Sequence, residues 1–132
     1  MYIIINTTDD KKIEVILAQS EDAFKIKSVS GEKKQSERLL ATIENLLIEG
    51  KTTPAKLKGI GVVTGPGGFT SVRIGVVVAN TLAYALNKNV FGIKKMEFKD
   101  SKDLVKIIIA GFKAEKAKKI VLPYYDREPN IS

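Results

Sequence analysis

Gly59-Ile60-Gly61-Val62-Val63-Thr64 runs directly into Gly65-Pro66-Gly67-Gly68-Phe69-Thr70-Ser71-Val72-Arg73-Ile74-Gly75. The first stretch reads as a short apolar strand, and the second as a tight loop that opens a long apolar helix reaching about Leu86. Glycine and proline between them permit a sharp turn with uncovered amides, because no Cβ blocks an approach. A helix start behind such a loop gathers free N–H groups and partial positive charge, which suits an anion or a partner's acceptor atoms. The plain alternative is a tight strand-to-helix connection. The stretch lacks a Gly-Lys-Ser/Thr ending and does not follow the dinucleotide G-x-G-x-x-G pattern. Arg73 falls in the expected first turn, where the helix dipole disfavours a cation. It is therefore expected to have a carboxylate or phosphate partner, or to lie across a contact surface.

Working outward, an apolar run at residues 89–93 completes a βαβ unit, whose crossover joins parallel strands and is nearly always right-handed. Upstream, Tyr2–Asn6 is a continuous apolar run, while residues 12–18 and 23–29 alternate. Short polar connections between the three predict an antiparallel meander. Residues 35–49 read as a helix with Ser36 at its N-cap, Gly50 as its stop, and Leu39, Leu40, Ile43, Leu46 and Leu47 on one apolar face. Thr53-Pro54 predicts a short helical turn. Downstream, a helix over residues 101–117 presents Leu104, Val105, Ile107, Ile108 and Phe112, and a last strand is expected at 119–122. The helix at 70–86 is apolar almost all round, so its surplus face is expected to meet either another helix of the domain or another subunit.

The order βββαβαβα is that of an α/β fold, an actin-like or ribonuclease-H-like half with a mixed five-stranded sheet and helices on both faces. Residues 1–93 are expected to form that unit, with 94–132 as a reduced segment packed on it. In ATP-using members of the group an aspartate at the end of the first strand handles the metal and phosphate. Asn6 stands there, and asparagine is neither a charged Mg²⁺ ligand nor a base.

At 132 residues the chain is one domain, and 44% hydrophobic with 28% charged residues is ordinary for a globular protein. No apolar stretch is expected to span a membrane, no signal peptide is read at the start, and the absence of cysteine fits a cytoplasmic location. There is no histidine either, which excludes Ser-His-Asp chemistry and His-based zinc sites in this chain. Net charge is +7 and uneven: residues 94–119 carry nine lysines against Glu97, Asp100, Asp103 and Glu115. Such a segment suits nucleic acid or, without interleaved arginine and aromatic residues, a solvated helix face.

The stretch Gly65–Gly75 closely resembles the glycine-proline-glycine-serine-phenylalanine-threonine-glycine-leucine-arginine-isoleucine-glycine motif of the TsaB (YeaZ) family. Ser36-Glu37-Arg38-Leu39-Leu40 and Pro123-Tyr124-Tyr125-Asp126-Arg127-Glu128-Pro129 resemble that family's first-helix and closing segments. The likeness covers about residues 1–93 and the tail. It departs at Asn6, at Gly68 and Ser71, at Gln35, and in a much shortened second half. The resemblance implies a non-catalytic, cofactor-free subunit of the machinery that makes N6-threonylcarbamoyladenosine in tRNA. It implies pairing with a TsaD-type catalytic subunit, with a TsaE-type ATPase in the assembly, a homodimer when alone, and only indirect contact with tRNA. The interface it implies holds Leu39, Ile43, Leu46, Phe69, Arg73, Ile74, Val77, Val78 and Thr81, beside the loop of Gly65, Pro66, Gly67, Gly68, Thr70 and Ser71. Competing readings are a nucleotide- or phosphate-binding protein that uses the loop with Arg73 as a clamp, and an RNA-binding module that uses the lysines.

Overall fold

The computed structural model describes residues 1–125. Its sheet has the order β3-β2-β1-β4-β5, built from β1 (Tyr2–Asn6), β2 (Lys12–Ala18), β3 (Phe24–Ser30), β4 (Gly59–Gly65) and β5 (Val90–Lys94). The first three strands form the antiparallel meander, and β4 lies parallel to both β1 and β5. Helices α1 (Gln35–Glu49) and α2 (Phe69–Leu86) cover one face, and α3 (Ser101–Lys113) covers the other. This is the expected actin-like α/β arrangement.

The side-chain period of two along each strand divides the core. Ile3, Ile5, Val15, Ile60 and Val62 face α1 and α2, while Tyr2, Ile4, Ile16 and Val63 face α3. Gly59 and Gly61 of β4 point toward α3. A Cβ on Gly61 would lie 2.9 Å from Ile108 Cγ2, and one on Gly59 would collide with the Phe112 ring. Alternating glycine in β4 thus lets α3 lie close to the sheet. At the meander edge, Lys27 donates to Glu49 Oε1 at 2.7 Å and ties β3 to the end of α1. That hydrogen bond holds the Glu49 carboxyl below its ordinary value. Its contribution is present at neutral pH and is lost as pH falls through the carboxylate range.

Four local expectations are corrected. Helix α1 has the expected bounds, but its N-cap is Lys34, in left-handed conformation (φ 53°), and Ser36 lies inside the first turn. Gln35 is held there by its Nε2, which donates to Ser71 Oγ at 3.0 Å. On the same helix, Leu40 is 54% exposed, and Thr42 takes the buried position. Helix α3 stops at Lys113 because Glu115 turns left-handed (φ 58°) and the Lys116 N–H bonds back to the Gly111 carbonyl at 2.9 Å. Residues 119–122 form no strand. A single antiparallel bridge joins Val90 and Lys118, after which the chain leaves the sheet edge.

Among the described residues, α2 alone is apolar enough by length and composition to cross a bilayer, against the expectation of no such stretch. Val72, Val76, Ala79 and Ala83 are buried within the core that α2 shares with α1 and the sheet, so its apolar character serves that packing on one side.

Gly61→Ala is expected to lower stability by about 1–3 kcal/mol through overpacking against Ile108. In a urea-unfolding double-mutant cycle, adding Ile108→Ala should cost less than its own separate effect, because it vacates the space that the new methyl needs. Additive losses would refute this account of the β4 glycines.

Candidate functional site

The glycine loop is defined by what lies against it. Gly65 adopts φ 130°, a conformation that favours glycine, and the Tyr124 carbonyl occupies the space of its missing Cβ. A Cβ on Gly67 would lie 2.6 Å from the Thr8 carbonyl oxygen, and one on Gly75 would collide with the Thr7 hydroxyl. The turn between β1 and β2 therefore packs directly onto the loop and the first turns of α2. The Thr7 hydroxyl donates to the Ser71 carbonyl at 2.6 Å, and Thr7, Thr8 and Ser71 are buried. Asn6 supports that turn: its Oδ1 accepts from the Thr8 N–H at 3.1 Å and from the Thr8 hydroxyl at 2.7 Å.

A carboxylate of this chain lies at the start of α2. Gly68 is the N-cap and makes no side-chain cap, and the Asp10 carboxylate lies against it. A carboxylate beside a helix N-terminus is favourable and repels a phosphate approaching the same point. This counts against a phosphate site in the loop.

Arg73 is the fifth residue of α2, past the first turn, and is exposed; among the described residues it forms no ion pair. It heads an outward stripe of Arg73, Val77, Thr81 and Tyr84, spaced by the helical period. Val77 is 59% exposed and Tyr84 is 88% exposed. On one side the stripe meets the start of α1 across an open groove of about 290 Å³ lined by Ser36, Thr70, Arg73, Ile74, Val77 and Val78. Two further apolar side chains, Leu40 and Ile48 of α1, are also exposed.

On the other side the stripe meets the terminal segment. The Asn80 side chain clamps Val121 from both directions, donating to its carbonyl at 2.9 Å and accepting from its N–H at 3.0 Å. The Tyr124 N–H then donates to the Thr64 carbonyl at 2.8 Å, and the Tyr125 ring meets Phe69 edge-on at 4.5 Å. Of the closing segment singled out in the sequence, Asp126, Arg127, Glu128 and Pro129 lie outside the described residues.

The structure thus brings together Phe69, Thr70, Arg73, Ile74, Val77, Val78 and Thr81 along one face. It does not bring Leu39, Ile43 and Leu46 to that face. They are 0%, 5% and 1% exposed and belong to the core of α1 against the sheet, because a helix with one apolar stripe commits it to the nearest large apolar surface. Sequence reading missed Leu40, Ile48 and Tyr84. Leu40 sits beside the stripe in register and was assigned to it. Tyr84 carries the only signal of the three: an aromatic residue on the far side of the helix from Val72, Val76, Ala79 and Ala83.

A family model described as TsaD: tRNA N6-adenosine threonylcarbamoyltransferase matches residues 28–100, from within β3 to the start of α3. The tRNA threonylcarbamoyladenosine biosynthesis protein TsaB of Bacillus subtilis is 37% identical over 65 residues, 49% of this chain and 28% of that protein. Among solved structures, YeaZ from Pseudomonas aeruginosa superposes with a TM-score of 0.65 at 27% identity, covering 70% of this chain and 43% of that one. A second structure, of an uncharacterized Pseudomonas aeruginosa protein with similarity to peptidase YeaZ, matches with the same TM-score and identity and is 42% covered. The chain therefore spans less than half the length of each of these relatives.

Asn80→Ala should free residues 118–125 from α2. The expected result is a stability loss of about 1 kcal/mol and limited trypsin cleavage after Lys118 or Lys119 that is faster by about fivefold or more. Unchanged cleavage would show that the clamp does not hold the segment.

Proposed function

The chain belongs to the TsaD family defined by that model, as a TsaB/YeaZ-like member, and from that premise we propose that it is a non-catalytic subunit with a part in threonylcarbamoyladenosine biosynthesis. In this reading its outward α2 stripe, with the groove beside α1, receives a TsaD-type catalytic subunit. The observation that carries it is a row of apolar and aromatic side chains left in water on a helix whose other side is fully packed. Burying one such side chain contributes about 1.5–3 kcal/mol, so Val77, Tyr84 and their neighbours together supply a useful part of a stable contact. Arg73 at the head of the stripe offers a planar donor for a partner's carboxylate or backbone carbonyls.

The chain's own chemistry supports an assisting role. It contains neither histidine nor cysteine. Asn6 stands at the end of β1, and its carbonyl is engaged in holding Thr8. In the absence of the catalytic subunit the same stripe is a surface for a second copy, as a two-fold pair. A TsaE-type ATPase belongs to the assembly in this reading, which is carried out in the cytoplasm.

Mixing the chain with the TsaD-type subunit of the same organism should give a joint peak in size-exclusion chromatography with light scattering. Val77→Asp should abolish that peak and leave the circular-dichroism spectrum and thermal midpoint nearly unchanged, because Val77 already faces water. An unaltered complex formed by the folded variant would overturn the assignment of the stripe. ATP at millimolar concentration should leave the thermal midpoint unmoved, whereas a nucleotide at about 100 times its Kd would stabilise by ~2.7 kcal/mol.

A further inference from the structure

We propose that the solvent face of α3, with the lysines at its two ends, docks the phosphate backbone of a folded RNA. This surface is on the opposite side of the sheet from the α2 stripe. The choice of RNA over other polyanions rests on the tRNA-modification reading above.

All nine lysines of residues 94–119 are exposed. Lys102, Lys106 and Lys113 fall on one side of α3, within about 40° of one another at 100° per residue, and span about 16 Å along its axis. Lys94, Lys95 and Lys99 cluster before the helix, and Lys116, Lys118 and Lys119 after it. The opposite side of α3 is committed to the core, with Leu104, Val105 and Ile108 fully buried.

The acidic residues of this segment do not neutralise it. Asp100 caps α3 by accepting from the Asp103 N–H at 2.8 Å, Asp103 accepts from the Lys99 N–H at 3.0 Å, and Glu97 accepts from the Lys94 N–H at 3.1 Å. Asp100 and Asp103 thus hold backbone at the start of α3 and Glu97 at the end of β5, and four acidic residues stand against nine lysines. Among the described residues, one of the nine lysines lies within ion-pair distance of a carboxylate: Lys102, 4.0 Å from Asp22, with both side chains well exposed. Exposed pairs of this kind are worth little. The helix therefore presents a line of uncompensated cations.

Such a line matches a phosphate backbone, where lysines act as point charges and binding gains from released counterions. An anionic membrane would also attract it. Interfacial helices, however, insert an apolar face, and that of α3 is inside the protein. Chemistry for reading bases is not needed, because phosphate contacts position a nucleic acid without specifying it.

The test uses the full chain and an unmodified tRNA transcript, with affinity followed by fluorescence anisotropy over a salt series. One variant combines Lys102→Gln, Lys106→Gln and Lys113→Gln. A control combines Lys11→Gln, Lys33→Gln and Lys56→Gln, which removes the same charge from exposed positions off α3. The α3 variant should bind about tenfold or more weakly than wild type, and its salt slope should shrink by about two to three, while the control changes far less. Equal losses in both variants, no loss in the α3 variant, or no binding by wild type at low salt would each overturn the proposal. So would retained tRNA binding alongside lost binding to phosphatidylserine vesicles. Pairing of the α3 variant with the TsaD-type subunit separates this proposal from the one it rests on. An intact complex with unchanged tRNA affinity rejects the α3 surface alone. Failure of wild type to pair, with tRNA affinity still dependent on the α3 lysines, rejects the subunit reading and supports this one.

Discussion

The close approach of α2 to the turn between β1 and β2 is the constraint on which the rest of this structure depends. Thr7 occupies the space that a side chain at Gly75 would need, and the Thr8 backbone occupies that of Gly67. The Thr7 hydroxyl then joins the two elements through the Ser71 carbonyl. A buried hydroxyl without a partner costs about 1–3 kcal/mol, so the contact is permitted only because each group finds its acceptor. Glycine spacing in the loop is thereby explained by packing. The same approach places Asp10 at the helix start, where it answers the dipole from inside the protein. One contact thus sets the position of α2, brings a carboxylate to its start, and turns its stripe of Arg73, Val77 and Tyr84 to the outside.

Much of this was legible in residue order. Period 3.6 in α1 and α3 identifies those helices because each has one buried side, and the mixture of a meander with a βαβ unit leaves few sheet orders open. The end of the chain was not legible for the opposite reason. Ile120-Val121-Leu122 has strand composition, but a strand needs an edge, and Asn80 captures the backbone of Val121 before it can pair along β5. A single polar side chain inside an apolar helix carries no sequence signal of that distant role. The candidate interface was half legible. For α2 the surplus of apolar residues exceeds what one sheet can cover, which correctly points outward. For α1 the reading of Leu39, Ile43 and Leu46 as interface overlooked that a single stripe is consumed by the core. The exposed residues Leu40 and Ile48 lie beside that stripe, and only packing distinguishes them.

The two outer faces of the molecule follow from how differently its helices divide their residues. Helix α3 divides between buried aliphatic side chains and exposed lysines, so its outer side is dominated by positive charge. Helix α2 has no such division, and its outer side sets the apolar Val77 and the Tyr84 ring beside Arg73 and Thr81. Since the sheet stands between them, occupancy of one face leaves the other accessible. A partner seated on the α2 stripe buries apolar area, an attraction that salt does not weaken. A polyanion on α3 is held by charge and released as salt rises. The fold therefore presents two surfaces of opposite physical character on opposite sides of a single sheet.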